Sequence, residues 1–368
     1  MSTSRLFTPL KVGNLELKNR VAMAPLTRFR ASDDHVILPM AAEYYGQRAS
    51  VPGTLLISEA TIVTPEHGGF PNVPCLQTQE QIDAWRKVTD EVHKKGSFIF
   101  SQLWALGRVA NPHFTKARGF TVKGASPIAL DSEHEEPQEM TEGDIEQTIA
   151  AFAQAAKNAI AAGFDGVEIH GANGYLVDQF IQDRTNHRTD RYGGSIENRS
   201  RFAFEVTQAV ANAIGAQKTA IRLSPFSDYQ GMHMEKDTIP QFSNIIKKLN
   251  SLGLAYIHLV EARVNGTVDR ESSDSLDPLL SVYNGTVLVA GGFQPESARR
   301  FVDEEHKRRD VVVVFGRYFI STPDIVFRLK EGIDLNPYDR NTFYNAKEER
   351  GYLDQPFSKQ FLEIKANV

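Results

Sequence analysis

At 368 residues the chain is long enough for two average domains or for one large α/β barrel with insertions. A hydrophobic content of 41% supports a large core, and 41 Lys plus Arg against 46 Asp plus Glu leave a formal net charge of −5, which excludes a general attraction to nucleic acid or anionic membranes. The single cysteine, Cys75, excludes an intramolecular disulfide and a Cys-based metal site.

No apolar run approaches the ~18 residues of a membrane span, and MSTSRLFTPLKVG has no apolar core of signal-peptide length, so a cytoplasmic protein is expected. In chain order, LFTPLKVGNLELKNR (6–20) turns at Gly13-Asn14 between alternating residues and reads as a β-hairpin plugging the bottom of a barrel. Strands VAMAPLT (21–27) and TLLISEA (54–60) follow. A helix over 79–95 carries Ile82, Trp85, Val88 and Val92 at helical spacing and stops at Gly96. After strand SFIFSQLW (97–104), residues 105–140 are too long and irregular for a simple connection and read as a lid or substrate wall. Thr141 with Asp144 caps a helix running to about Ala162.

Strand GVEIHGA (166–172) precedes a helix capped by Ser195, with Phe202, Phe204, Val206 and Val210 on it. Strands AIRLSP (220–225), YIHLV (256–260), TVLVAGG (286–292) and VVVVFGR (311–317) alternate with helices near 239–252, 296–307 and 323–331, and a second wall loop spans 261–280. The eight strand cores are nearly continuous apolar runs, as in parallel strands buried on both faces. Strand–helix alternation predicts one (β/α)8 TIM barrel over residues 1–368, an α/β fold with an N-terminal β-hairpin plug and long C-terminal-face loops. A doubly wound open sheet would need an early glycine-rich phosphate turn, which is missing.

Such barrels carry chemistry at the C-terminal strand ends. There, His170 and Asn173 can both donate hydrogen bonds to one ligand oxygen, and Tyr175 offers a weak acid close by. Gln102 can pair with the edge of a heterocycle, and Arg222 can stabilise negative charge developing on that ring. Gly291, Gly292, Gly316 and Arg317 combine close backbone approach with a guanidinium, a pocket for phosphate. A phosphorylated heteroaromatic cofactor is the guest these groups describe, and flavin mononucleotide (FMN) fits. No HExxH or clustered carboxylate site appears, and no metal is called for.

MAPLTRFRA (23–31), SQLWALGR (101–108), HGANGYLVDQFIQDRTNHRTDRYGGSIENR (170–199) and FGRYFISTPD (315–324) resemble the motifs of the Old Yellow Enzyme family of FMN-dependent ene-reductases, over almost the full chain. By that resemblance, Pro25, Thr27 and Ala60 contact one edge of the flavin, and Gln102 and Arg222 hold its pyrimidine edge. Gly291, Gly292, Gly316 and Arg317 take its phosphate. His170 and Asn173 grip the substrate carbonyl, Tyr175 donates a proton, and Trp104, Phe343 and Tyr344 wall the pocket. Ala60 stands where many relatives have Gly, and Gly292 where some have a polar residue; both act through backbone.

The resemblance implies an NADPH dehydrogenase, with NADH as the second candidate reductant. It would reduce the C=C bond of small-molecule α,β-unsaturated carbonyl compounds in a ping-pong cycle, as a monomer or homodimer without nucleic-acid or membrane partners. YYGQRASVPGTLL (44–56) and GRYFISTPD (316–324) also resemble the branch acting on ergot-alkaloid intermediates, so a pathway-specific reductase or isomerase of secondary metabolism is the first alternative. A flavin-free, non-catalytic barrel is the remote one.

Overall fold

The computed structural model describes residues 4–234, 236–265, 268–269, 272 and 274–367. Eight parallel strands close into a barrel: β1 (Val21–Met23), β2 (Leu55–Ile62), β3 (Phe98–Trp104), β4 (Gly166–Gly171), β5 (Thr219–Leu223), β6 (Tyr256–Val260), β7 (Val287–Ala290) and β8 (Val311–Phe315). Each pairs with its sequence neighbour, and β8 returns to β1 through Val313↔Val21 and Phe315↔Met23. All eight expected strands are present: β1, β4, β5, β7 and β8 end short of the expected bounds, β3 and β6 end where expected, and β2 runs on to Ile62.

The hairpin forms as read, Leu10–Val12 against Leu15–Leu17. Leu10, Val12 and Leu17 pack beneath Leu55, Phe100, Tyr256 and Val312, so the lower barrel is a filled core rather than a pore. Gly13 sits at φ +56°, and a Cβ there would meet Gln217 O at 2.2 Å and the Ala255 Cβ at 2.9 Å. That close approach is why the hairpin seats only with glycine at its tip.

Around the barrel lie α1 (Met40–Arg48), α2 (Gln79–Lys94), α3 (Glu142–Ala161), α4 (Arg201–Ile214) and α5 (Thr238–Asn250). Reciprocal capping boxes start α2 at Thr78/Gln81 and α3 at Thr141/Asp144. Ser195 caps only the turn Ile196–Arg199 before α4 begins, and Phe204 on α4 is half-buried while Phe202, Val206 and Val210 are core.

Two features depart from the sequence pattern, the first for a physical reason. The sequence pattern misses α1 because it buries adjacent Tyr44 and Tyr45 and carries Gly46 mid-helix, where a Cβ would meet the Glu91 Cγ at 2.8 Å. Between β6 and β7 the described helix is the single turn Asp277–Leu280; residues 266, 267, 270, 271 and 273 of the expected 261–280 wall lie outside the described residues. Among the described residues no helix is long and apolar enough to cross a membrane.

If the plug is locked by close packing, Gly13→Ala should lower the thermal midpoint by several degrees, since overpacking costs about 1–3 kcal/mol. Gly119→Ala, also at positive φ (+74°) but with open space around its Cβ, should lose much less. Thermal melts of the two variants against the parent check this.

Candidate active site

The strand ends meet in one cavity of about 430 Å³, and every residue named from the sequence lines it. Pro25 and Thr27 enter just after β1, Ala60 from β2, Gln102 and Trp104 from β3, and His170 from β4 with Asn173 and Tyr175 beyond it. Arg222 comes from β5, Gly291 and Gly292 follow β7, and Gly316 and Arg317 follow β8. Phe343 and Tyr344 arrive from the far C-terminal segment. Ala60 faces the cavity because β2 shifts register between Ile57 and Ala60, an irregularity of the kind that re-aims a strand end. At Gly291 a Cβ would meet the Glu261 Cβ at 2.8 Å, and Gly292 takes φ +63°; both turns require glycine.

The loop after β4 is held rigidly. Asn173 adopts φ 59° and its backbone N–H donates to Ser224 Oγ at 2.7 Å. Gly174 donates its N–H to Asp178 Oδ2 at 2.9 Å, and the Gln179 side chain donates to Gly174 O at 2.8 Å. Asp178 is fully buried, and burial lifts its carboxyl to about 7 in spite of these bonds. The outcome is three functional groups at fixed positions: the His170 and Tyr175 rings lie 4.8 Å apart between centroids, with Trp104 edge-on to Tyr175 at 4.9 Å.

Burial sets their protonation. His170 is driven well below the usual imidazole range by desolvation, helped by the charge of Arg222 and by the neighbouring His258. It is therefore neutral at physiological pH and offers an N–H without a charge. Tyr175 is pushed up, chiefly by burial, and stays a phenol.

The wall has members that sequence reasoning missed. An aromatic chain runs from Trp104 to Phe70 (6.0 Å), Phe29 (6.4 Å) and Tyr344 (5.8 Å), and Tyr229 and Gln230 close the side next to Tyr175. Phe29 and Phe70 carry no local signal beyond being aromatic. Residues 105–140 do not line this cavity, contrary to expectation. They fold outward because Lys123 pairs with Asp144 on α3 and the Arg188 guanidinium donates to the carbonyls of Ala125 and Met140.

Also unforeseen are two buried arginines beside Thr27. Arg28 donates to Phe343 O (2.9 Å) and Gly351 O (2.6 Å), and Arg30 donates to Phe343 O (3.1 Å), Glu348 O (2.9 Å) and Arg350 O (3.1 Å). Both guanidinium groups lie near the face of Tyr352. They clamp the C-terminal segment over the mouth. The pattern R-F-R in MAPLTRFRA put both on one side of Phe29, but arginine is ordinarily surface material, which hid the role.

Polar atoms with no protein partner mark where a ligand fits. The Trp104 Nε1, His170 Nδ1, Arg222 Nε and Gln230 side-chain oxygen are buried and unpaired, and all four side chains line the cavity. Buried polar groups are otherwise nearly always hydrogen-bonded. A flat polar heterocycle with a phosphate tail suits this donor set, with glycine turns and Arg317 on the phosphate side.

Comparison with known proteins agrees. The sequence profile of the NADH:flavin oxidoreductase / NADH oxidase family matches residues 5–336. The chain is 53% identical over 361 residues to the chanoclavine-I aldehyde reductase fgaOx3 of Penicillium roqueforti, covering 97% of this chain and 98% of that protein. It is 50% identical over 371 residues to the NADP-dependent oxidoreductase lnbE of Aspergillus flavus, covering 98% of each. The crystal structure of Old Yellow Enzyme from a Pichia species superposes with a TM-score of 0.91 at 40% identity, covering 97% of this chain and 94% of that one.

Removing one half of the arginine clamp should free the segment over the mouth. Arg28→Ala strands the carbonyl of Gly351 in the interior, at about 1–3 kcal/mol for an unpaired group, and leaves that of Phe343 with Arg30 alone. The expected outcome is a lowered thermal midpoint and new cleavage within 343–351 under limited proteolysis, read by mass spectrometry.

Proposed function

This chain belongs to the NADH:flavin oxidoreductase / NADH oxidase family and is an FMN-dependent oxidoreductase, and from that premise we propose that it uses NADPH to reduce the C=C bond of an α,β-unsaturated aldehyde. The observation that carries the reading is the meeting of a neutral His170, Asn173 and a protonated Tyr175 in one pocket walled by aromatic rings. Bound FMN supplies the two-electron hydride chemistry that no side chain can perform. Thr27, Pro25 and Ala60 would hold one edge of it, Gln102 and Arg222 its pyrimidine edge, and Gly291, Gly292, Gly316 and Arg317 its phosphate.

The chain's own residues do the rest. His170 and Asn173 donate hydrogen bonds to the substrate carbonyl oxygen and draw electron density onto it, which makes the β-carbon electrophilic. Both donors bind the oxygen more strongly in the transition state, where charge reaches it, than in the uncharged ground state. Tyr175 gives its phenolic proton to the α-carbon, and burial keeps that proton in place across neutral pH. The aromatic wall orients a flat, apolar body and excludes water. NADPH and the aldehyde would both reach the flavin through the mouth of this cavity, and a shared mouth supports a ping-pong order.

The relatives support a substrate class. A chanoclavine-I aldehyde reductase is 53% identical to this chain, and Phe29, Phe70, Trp104 and Tyr344 suit a polycyclic aromatic aldehyde of alkaloid type. Tyr175, a proton donor at the place where one is needed, favours net reduction over redox-neutral isomerisation.

Three measurements test the reading. Arg317→Ala should lose most copurifying FMN, since a charge-assisted contact to phosphate contributes about 1–3 kcal/mol; stoichiometric, equally tight FMN would contradict the phosphate role. Tyr175→Phe should leave flavin reduction by NADPH within a few-fold of the parent and slow enal reduction by ~10²–10⁴-fold, both read by stopped flow; equal slowing of both halves ends the proton-donor role. A histidine whose pKa is depressed keeps its neutral form as pH falls through the ordinary range near 6.5. The pH profile of kcat/KM for the aldehyde should therefore show no inflection there, only a loss at more acid pH; an inflection near 6.5 that vanishes in His170→Asn contradicts the neutral-donor role.

A further inference from the structure

Behind the cavity, in the barrel core, lies a charged group that the reading above does not use. Glu168 on β4 is fully buried, two residues before His170, and neither it nor His258 of β6 lines the cavity. Its Oε1 accepts from Gln102 Nε2 at 2.9 Å, and its Oε2 pairs with His258 Nδ1 at 2.9 Å. The strand registers enforce the cluster: Gln102 stands opposite Glu168, and Arg222 is flanked by His170 on one side and His258 on the other. Of the two residues proposed to hold the flavin pyrimidine edge, Gln102 is bonded to Glu168, and Arg222 stands opposite His170, two residues along the same strand from Glu168, close enough for the two charges to act on each other.

We propose that Glu168 is a positioning residue for the flavin: its carboxylate fixes which way the Gln102 amide faces and offsets the charge of Arg222, and so sets the reduction potential of the bound cofactor. An ionised carboxylate only accepts hydrogen bonds. It selects the NH₂ side of the Gln102 amide and leaves the Gln102 oxygen as the acceptor turned to the cavity. Burial opposes ionisation of Glu168, but His258, Arg222 and the two hydrogen bonds hold its carboxyl below the ordinary range. Arg222 in turn is fully buried, with its Nε unpaired, and Glu168 is the first of the groups whose charge favours its cationic form. Reduction adds negative charge to the ring edge facing Arg222. A fixed carboxylate behind Arg222 weakens that attraction, and its removal strengthens it.

The inference rests on the FMN-dependent reading of the cavity. The test is the midpoint potential of the FMN-loaded protein, by dye equilibration, for the parent, Glu168→Gln and Glu168→Asp. Glu168→Gln keeps the shape and loses the charge. Its reduced-to-oxidised ratio at a given potential should rise about ten-fold, a shift of ~30 mV to higher potential for a two-electron couple. Glu168→Asp keeps the charge but not the reach to Gln102, so its potential should stay within two-fold of the parent on the same scale. Its release of FMN on dilution, read by flavin fluorescence, should quicken several-fold.

A side chain that only fills space predicts a lower melting temperature in both variants with the potential unmoved. An unmoved or lowered potential in folded, flavin-loaded Glu168→Gln overturns the charge role, and unchanged FMN release in Glu168→Asp overturns the orienting role. Should Glu168→Gln not fold, Glu168→Asp decides the charge role as well: a potential displaced by ten-fold or more, with the charge retained, overturns it. A parent protein that carries no FMN would fail the functional reading instead, so the two failures are distinguishable.

Discussion

Closure of eight parallel strands is the constraint on which everything else depends. Once β8 pairs with β1, alternate side chains of each strand must point inward and all strand ends must share one rim. Thr27 and Arg317 are distant in sequence and adjacent at the mouth for that reason alone. Below the rim the interior is packed solid by Phe100, Tyr256 and the hairpin leucines. Polar chemistry is confined to one layer near the top, where Gln102, Glu168, Arg222 and His258 satisfy or oppose one another. The rim therefore inherits its precision from a core that cannot shift without opening a void.

That layer is also where the fold gives up stability. Unpaired buried groups on Trp104, His170, Arg222 and Gln230 each carry a desolvation cost of about 1–3 kcal/mol. A ligand that pairs any of them recovers that part of the cost, so occupancy of the cavity and folding are thermodynamically linked. The same burial keeps His170 neutral and Tyr175 protonated, so the pocket's reactivity and its instability have one origin.

Much of this was legible in the sequence, for a physical reason. Parallel strands buried on both faces announce themselves as unbroken apolar runs, and the residue that ends each run falls at the rim; hence Gln102, His170, Arg222 and Arg317 could be named before any coordinates. The capping boxes at Thr78 and Thr141 are equally local. What stayed hidden is what depends on partners far along the chain. Nothing local says that Arg28 and Arg30 turn inward, that Phe70 meets Trp104, or that residues 105–140 fold away from the mouth. Glu168 and His258 were hidden differently: each sits inside an apolar strand run, where only the closed barrel shows that they face each other.

The arginine clamp has a consequence for how such a pocket changes over time. Arg28 and Arg30 grip carbonyl oxygens of the 343–351 segment, and every residue type carries one of those. The hydrogen bonds that set the path of the segment thus run to its main chain, while the side chains of Phe343 and Tyr344 line the cavity and pack against Tyr338 and Phe29. Substitution there redraws the shape of the mouth and leaves those hydrogen bonds in place. Inheritance of the scaffold and drift of the substrate are uncoupled at this point, which lets one barrel be refitted to successive guests a residue at a time.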